Sequence, residues 1–201
     1  MNIERLIRAV QKEIGVEVDG KAGPQTWEEI ARRLIPDQAP TLASPALTGL
    51  DSRSKKNIES LLPQVRPYAV ALIQKAALNG IKIKIISGHR TYAEQDALYA
   101  KGRPDNPPKV TNAKGGQSNH NFGIAFDIGI FEGTEYLGSS PKYKAIGVLG
   151  TDLGLDWGGN WKSFKDAPHF QLRPEWANGM LEKDMLAELR KRKENGQDAF
   201  A

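Results

Sequence analysis

Ser118-Asn119-His120-Asn121-Phe122-Gly123-Ile124-Ala125-Phe126-Asp127-Ile128-Gly129 puts a histidine at the edge of an apolar strand and an aspartate inside it. A carboxylate between Phe126 and Ile128 is costly to bury unless it is paired or bound to a metal. His120 and Asp127 are seven residues apart, so they converge only if Asn121 to Gly123 turns before the strand begins. A second stretch, Asp166-Ala167-Pro168-His169-Phe170-Gln171-Leu172, repeats the theme. There a histidine enters a short apolar strand, with an acid three residues before it.

Around these stretches the pattern alternates irregularly between helix and strand. Residues 53–79 read as a helix broken or kinked near Pro63 and Pro67, closed by Asn79-Gly80. Ile81 to Ile86 reads as a strand that delivers Ser87-Gly88-His89-Arg90, and Thr91 to Ala100 as a short helix. Lys101 to Asn119 is long, polar and rich in Gly and Pro, a kind of loop that usually serves function. Gly123 to Ile130 is a buried strand, Lys142 to Leu153 a helix, and Asp156 to Lys165 a Trp/Gly-rich turn region. His169 to Leu172 is a short strand, and a charged helix is expected from about Pro174 to Lys193. No regular βαβ repeat appears, so the class is α+β, with a short antiparallel sheet and flanking helices.

The first 35 residues read as a separate small helical module. Ile3, Leu6, Ile7, Val10 and Ile14 fall at helical spacing up to Gly15, and a second helix runs from Gln25 to Leu34 behind Pro24. Residues 36–50, with Pro36, Pro40 and Pro45, read as a linker, and residues 51–201 as the main domain.

Composition narrows the chemistry. The 201 residues include no cysteine, which excludes disulfides, thiolate metal sites and a cysteine nucleophile. Any metal must use imidazole and carboxylate, and there are only three histidines. The net charge of +4 fits either an anionic partner or a mildly basic surface. The basic residues are dispersed without interleaved aromatics, against nucleic-acid binding. The opening Met-Asn-Ile-Glu-Arg-Leu-Ile-Arg lacks the apolar core of a signal peptide, and no run reaches membrane-spanning length. Synthesis in the cytoplasm, no membrane insertion and a monomer are therefore expected.

Two histidines and one carboxylate make a three-ligand catalytic zinc site with a fourth position for water. An uncoordinated acid such as Asp166 beside that water can take its proton and pass it to a leaving amine. Spacing alone leaves a second reading open, in which His120 and His169 are hydrogen-bonded residues near turns. No single-helix His-Glu-x-x-His signature is present.

The ordered set Ser-x-His-x-x-Gly-x-Ala-x-Asp at 118–127, Trp157-Gly158-Gly159-x-Trp161 and Asp166-x-Pro-His169-Phe resembles one family. It is the zinc peptidases that include D-alanyl-D-alanine carboxypeptidases and the L-alanyl-D-glutamate endopeptidases of phage endolysins. The resemblance covers roughly residues 60–172. It implies one zinc ion on His120, Asp127 and His169, with Asp166 as the catalytic base. Ser87-Gly88-His89-Arg90-Thr91 resembles the family segment whose arginine helps hold substrate, which points to Arg90. His89 is expected to face away, because adjacent residues at a strand end point to opposite sides. Gln95 and Ser118 are further candidates for substrate contact, with Gln117 beside them.

Val18-Asp19-Gly20-Lys21-Ala22-Gly23-Pro24-Gln25-Thr26-Trp27 is similar to the turn signature of peptidoglycan-binding helical domains. Together the resemblances imply an endolysin-like hydrolase acting on bacterial peptidoglycan. Ser163-Phe164-Lys165-Asp166 and the Trp-Gly-Gly-x-Trp run resemble the branch that cuts between L-Ala and D-Glu. A D-alanyl-D-alanine carboxypeptidase is the nearest alternative, and a non-catalytic wall-binding protein the alternative of another class. A phage or prophage enzyme released onto the wall would suit a chain without a signal peptide.

Overall fold

A computed structural model describes residues 2–34, 49–101 and 111–201. The expected linker lies outside these residues apart from Gly49 and Leu50, as does the 102–110 part of the long polar loop. Two helices come first, α1 (Ile3–Ile14) and α2 (Pro24–Leu34). The main domain follows with α3 (Ser52–Glu59), α4 (Arg66–Leu78), β1 (Ile83–Ser87), α5 (Tyr92–Ala100), β2 (Ala125–Glu132) and β3 (Glu135–Leu137). It ends with α6 (Lys142–Asp152), β4 (Asp156–Trp157), β5 (His169–Gln171) and α7 (Glu182–Glu194). No helix among the described residues is long and apolar enough to cross a membrane.

The class is α+β. Every strand pairing is antiparallel, in the order β1-β2-β5-β4, with β3 also pairing with β2. The central strand β2 carries Phe126, Ile128 and Ile130 into a core shared with Leu72 and Ala76 of α4 and Ile146 of α6. Phe126 and Phe170 stack across β2 and β5 with centroids 5.9 Å apart, both fully buried. A second cluster joins Phe122 and Ile124 to Met185 and Leu189 of α7. It clamps the last helix over the turn that leads into β2.

Local chemistry sets the helix ends. Asp51 caps α3, accepting from the Ser54 backbone N–H at 3.2 Å and the Ser54 hydroxyl at 2.7 Å. The buried Ser54 hydroxyl in turn accepts from Ile85 N–H at 3.0 Å, tying that cap to β1. Thr91 and Glu94 form a reciprocal capping box at the start of α5. The expected break between Pro63 and Pro67 separates α3 from α4, with Pro67 in the first turn of α4.

Two features differ from the sequence reading. The helix expected over 174–193 is only a 3₁₀ turn at Glu175–Ala177, then a break, then α7 from Glu182. Asn178-Gly179 stops the first turn, and Gly179 has φ +80°. The hairpin partner β3 was not expected. It is three residues long and mostly exposed, so it shows no buried alternation.

The N-terminal helices lie against the main domain. A Cβ on Gly23 would stand 2.9 Å from the Tyr68 hydroxyl, and one on Gly154 would stand 2.9 Å from Lys21 Cβ. Burial under this module, with the charges of Asp19 and Glu17, pushes the Tyr68 phenol up to about 12. Within the module, the buried Gln11 amide donates to Asp19 and Thr26 and accepts from Gly20 N–H. The Asp-Gly-x-x-Gly-Pro turn is thus held from inside, toward α4.

Candidate metal and active site

Strand register brings the acid and one histidine together. Asp127 and His169 are direct partners in the β2–β5 ladder, so their side chains share a face. His120 arrives from a 3₁₀ turn over Asn119–Phe122, which Gly123 closes with φ +70°. A left-handed residue at this point is what turns His120 back over the strand. Asp127 Oδ1 lies 3.1 Å from His120 Nε2 and 3.2 Å from His169 Nδ1. The three candidate ligand atoms all lie within 4.8 Å of one another.

The outer nitrogens decide what this trio can hold. His120 Nδ1 is 2.7 Å from the Gly88 carbonyl, and His169 Nε2 is 3.0 Å from Gln171 Oε1. Both oxygens can only accept, so those nitrogens carry the protons. In the neutral rings, His120 Nε2 and His169 Nδ1 then aim lone pairs at a carboxylate oxygen. Three convergent donors without a proton between them fit a cation, and an N₂O set fits zinc.

Burial opposes every charge here, and the outcomes differ. For Asp127 the neighbouring His120 and His169 overcome burial and hold it well below 3.8. His169 is raised against its burial by hydrogen bonds to Asp127 and Gln171. For His120 burial wins, keeping it below 6.5.

The trio opens into a cavity of about 580 Å³ whose lining includes Arg90, Ser118, Trp161 and Asp166. Burial first, and then the charge of Asp127, raises the Asp166 carboxyl above its ordinary 3.8. Its backbone is fixed by Asp166 N–H to Gly158 O at 3.1 Å and by His169 N–H to Asp166 O at 3.2 Å. Gly158 has to lack a side chain, since a Cβ there would stand 2.4 Å from the Asp166 carbonyl. At Gly159 it would stand 2.1 Å from the Trp157 ring. The two glycines thus let the Asp166–His169 segment close onto β4. The Trp161 ring sits 5.0 Å from the His169 ring.

Arg90 reaches the same cavity but is not a free cation. Nη2 bonds Asp127 Oδ2 at 3.2 Å and Nη1 bonds Gln95 Oε1 at 2.8 Å. Gln95, expected from the sequence to contact substrate, is not among the residues that line the cavity. Gln95 is fully buried, and its other bond donates to the Ala113 carbonyl at 2.9 Å. It orients Arg90 from behind. His89 is not among the cavity residues; it borders a separate depression with Lys193 and Asp198.

Sequence reasoning missed an outer layer around His169. Gln171 accepts from Asn119 Nδ2, which also donates to Glu182. Arg173 then bridges Glu182 at 2.6 Å and Asp156 at 2.9 Å. Gln171 had a signal, because residues two apart on a strand share a face. Glu182 had none, because it comes from the start of α7.

The family model described as D-alanyl-D-alanine carboxypeptidase matches residues 111–172, the stretch that holds His120, Asp127, Asp166 and His169. The peptidoglycan L-alanyl-D-glutamate endopeptidase CwlK of Bacillus subtilis (strain 168) is 38% identical over 126 residues, 57% of this chain and 74% of that protein. The L-alanyl-D-glutamate peptidase of Listeria phage A118 is 31% identical over 124 residues, 60% of this chain and 41% of that longer protein. Among solved structures, the Serratia marcescens L-Ala D-Glu endopeptidase ChiX is similar with TM-score 0.47 and 24% identity, over 60% of this chain and 86% of that one. The chain belongs to the zinc peptidase family of D-alanyl-D-alanine carboxypeptidases and L-alanyl-D-glutamate endopeptidases.

Proposed function

We propose that this chain is a peptidoglycan hydrolase that cuts the stem peptide between L-Ala and D-Glu. The observation that carries the reading is the convergence of His120, Asp127 and His169 beside the acid Asp166 in one cavity. The name of the Bacillus relative supports the choice of bond. In this reading His120 Nε2, an Asp127 oxygen and His169 Nδ1 hold one zinc ion. The ion supplies a Lewis-acidic position that polarises the scissile carbonyl and lowers the pKa of water.

Asp166 accepts a proton from the attacking water and returns it to the departing amine as the C–N bond breaks. A carboxyl raised by burial suits that exchange, because its two protonation states lie closer in energy. Gln95 fixes Arg90, and Arg90 fixes Asp127 and presents its remaining edge to the substrate carbonyl. Ser118, on the cavity wall, offers a hydroxyl to the peptide backbone. All these groups come from one chain, which supports a working monomer.

Residues 1–35 act as a wall-associated module joined to a catalytic unit spanning 51–201. The enzyme meets its substrate outside the cytoplasm, and the phage relative supports release onto the wall during lysis. Mass spectrometry of fragments from digested peptidoglycan tests the reading. New N-terminal D-Glu supports it, whereas release of terminal D-Ala alone would make the enzyme a carboxypeptidase.

A further inference from the structure

We propose that Lys165 is a specificity residue that recognises the carboxylate beside the scissile nitrogen. The proposal rests on the endopeptidase reading above. Cutting an L-Ala–D-Glu bond leaves D-Glu on the amine side. A glutamyl residue has two carboxyl groups, and only one can continue the peptide. If the γ-carboxyl continues it, the α-carboxylate remains next to the nitrogen being released. Such a substrate brings a negative charge to a cavity already lined by Asp127, Asp166 and Glu182. Zinc would offset Asp127, and Arg173 pairs with Glu182, but Asp166 stands beside the departing nitrogen, so a cation at that end would favour the anion.

Among the described residues, Arg90 and Lys165 are the two Arg or Lys side chains that line the cavity. The Arg90 charge is engaged by Asp127 at 3.2 Å, with Gln95 holding its other branch. Lys165 is exposed, and among the described residues no hydrogen bond or ion pair holds its ammonium. It is therefore the cation available to an incoming anion.

Backbone geometry supplies a second, independent observation. Phe164, Lys165 and Asp166 all line the same cavity, although consecutive side chains on an extended chain point to opposite sides. The exception traces to Phe164, the one non-glycine among the described residues with positive φ, at +53°. Its ring is 77% exposed, so packing does not repay this conformation. A bulky residue in the left-handed region without burial in return is expected where geometry serves a site. Here the turn puts the Lys165 ammonium on the same wall as the acid that serves the leaving amine. Lys165 and Asp166 thus address neighbouring atoms of one residue, the α-carboxylate and the nitrogen.

The test uses the full-length zinc-loaded protein and two soluble stem peptides, one with D-Glu bearing a free α-carboxylate, the other with that group as the amide. Each is assayed for cleavage at the L-Ala bond by mass spectrometry. The wild type should prefer the free carboxylate, and Lys165→Gln should lower the ratio of the two kcat/KM values about tenfold, the usual worth of a charge-assisted hydrogen bond. Lys165→Arg should restore most of the ratio. A wild-type ratio near one, or a ratio unchanged in Lys165→Gln, would overturn the assignment of Lys165 while leaving the endopeptidase intact. Wild-type protein that cuts neither peptide at this bond yet releases terminal D-Ala would overturn the endopeptidase reading and this proposal with it.

Discussion

Asp127 and His169 face each other across two antiparallel strands, with Oδ1 3.2 Å from Nδ1. Ladder pairing fixes this contact, so it depends on the register of β2 and β5 and not on a flexible loop. The third member, His120, depends on a tight turn and on the Gly88 carbonyl. The site therefore has two rigid supports and one adjustable one. Substitutions behind each histidine should separate them.

Gln171→Leu removes the oxygen that accepts from His169 Nε2 while keeping the volume of a buried side chain. Zinc affinity should fall about 10- to 100-fold, as for other partners behind a metal-bound imidazole. Competition with a chelator reads this directly. Unchanged affinity would mean that strand pairing alone orients the ring.

Gln95→Leu should act through Arg90. The fully buried amide is lost, Arg90 Nη1 loses its 2.8 Å partner, and the guanidinium is freed from its position against Asp127. Turnover should drop about 10- to 100-fold, as when a mutation misplaces a reacting group by about an ångström. Steady-state kinetics should show this in kcat more than in KM. A pure KM effect would return Gln95 to the substrate-contact role the sequence suggested.

Asp51 offers a stability test away from the site. Burial pushes its carboxyl up, but bonds from the Ser54 hydroxyl and backbone outweigh this and hold it below 3.8. A group lowered by folding adds stability above its unfolded pKa and loses it as pH falls through the folded value. Asp51→Ala should cost about 1 kcal/mol at pH 7, or about 2–4 °C in Tm. The gap to wild type should narrow below about pH 4. A gap that stays constant as the pH is lowered through the acid range would mean that the charge plays no part in the cap.

Removing residues 1–45 should leave cleavage of a soluble stem peptide within about twofold, because among the described residues none before Arg90 lines the cavity. Tethering to an insoluble wall adds local concentration without contacts at the scissile bond, so attack on intact sacculi should slow. The truncated protein should also melt lower, since the cut uncovers Tyr68 and the Gly154 turn. Equal loss on both substrates would make the helices a structural part of the catalytic unit.

Much of this was legible in local sequence. A buried strand preceded by Asn121-Phe122-Gly123 required a turn before it, and Gly123 makes that turn with φ +70°. Alternation placed β1, β2 and β5 within two residues of their ends. What local pattern could not show was tertiary. Gln95 sits on a nine-residue helix whose buried face is set by residues 111–113, far along the chain. Glu182 meets Asn119 across 63 residues, through a helix that starts only after the Asn178-Gly179 break. The strand β3 was hidden because three exposed residues carry no period.

The central claim is that two imidazoles and a carboxylate hold the ion while Asp166 moves the proton. Metal content and turnover measured together on wild type, His120→Ala, His169→Ala and Asp166→Asn test it most directly. One zinc per wild-type chain is expected, with zinc and activity lost together in both histidine variants. Asp166→Asn should keep full zinc with turnover down about 10²- to 10⁴-fold. A histidine variant that keeps stoichiometric zinc and full activity, or an Asp166→Asn enzyme within a few-fold of wild type, would contradict it.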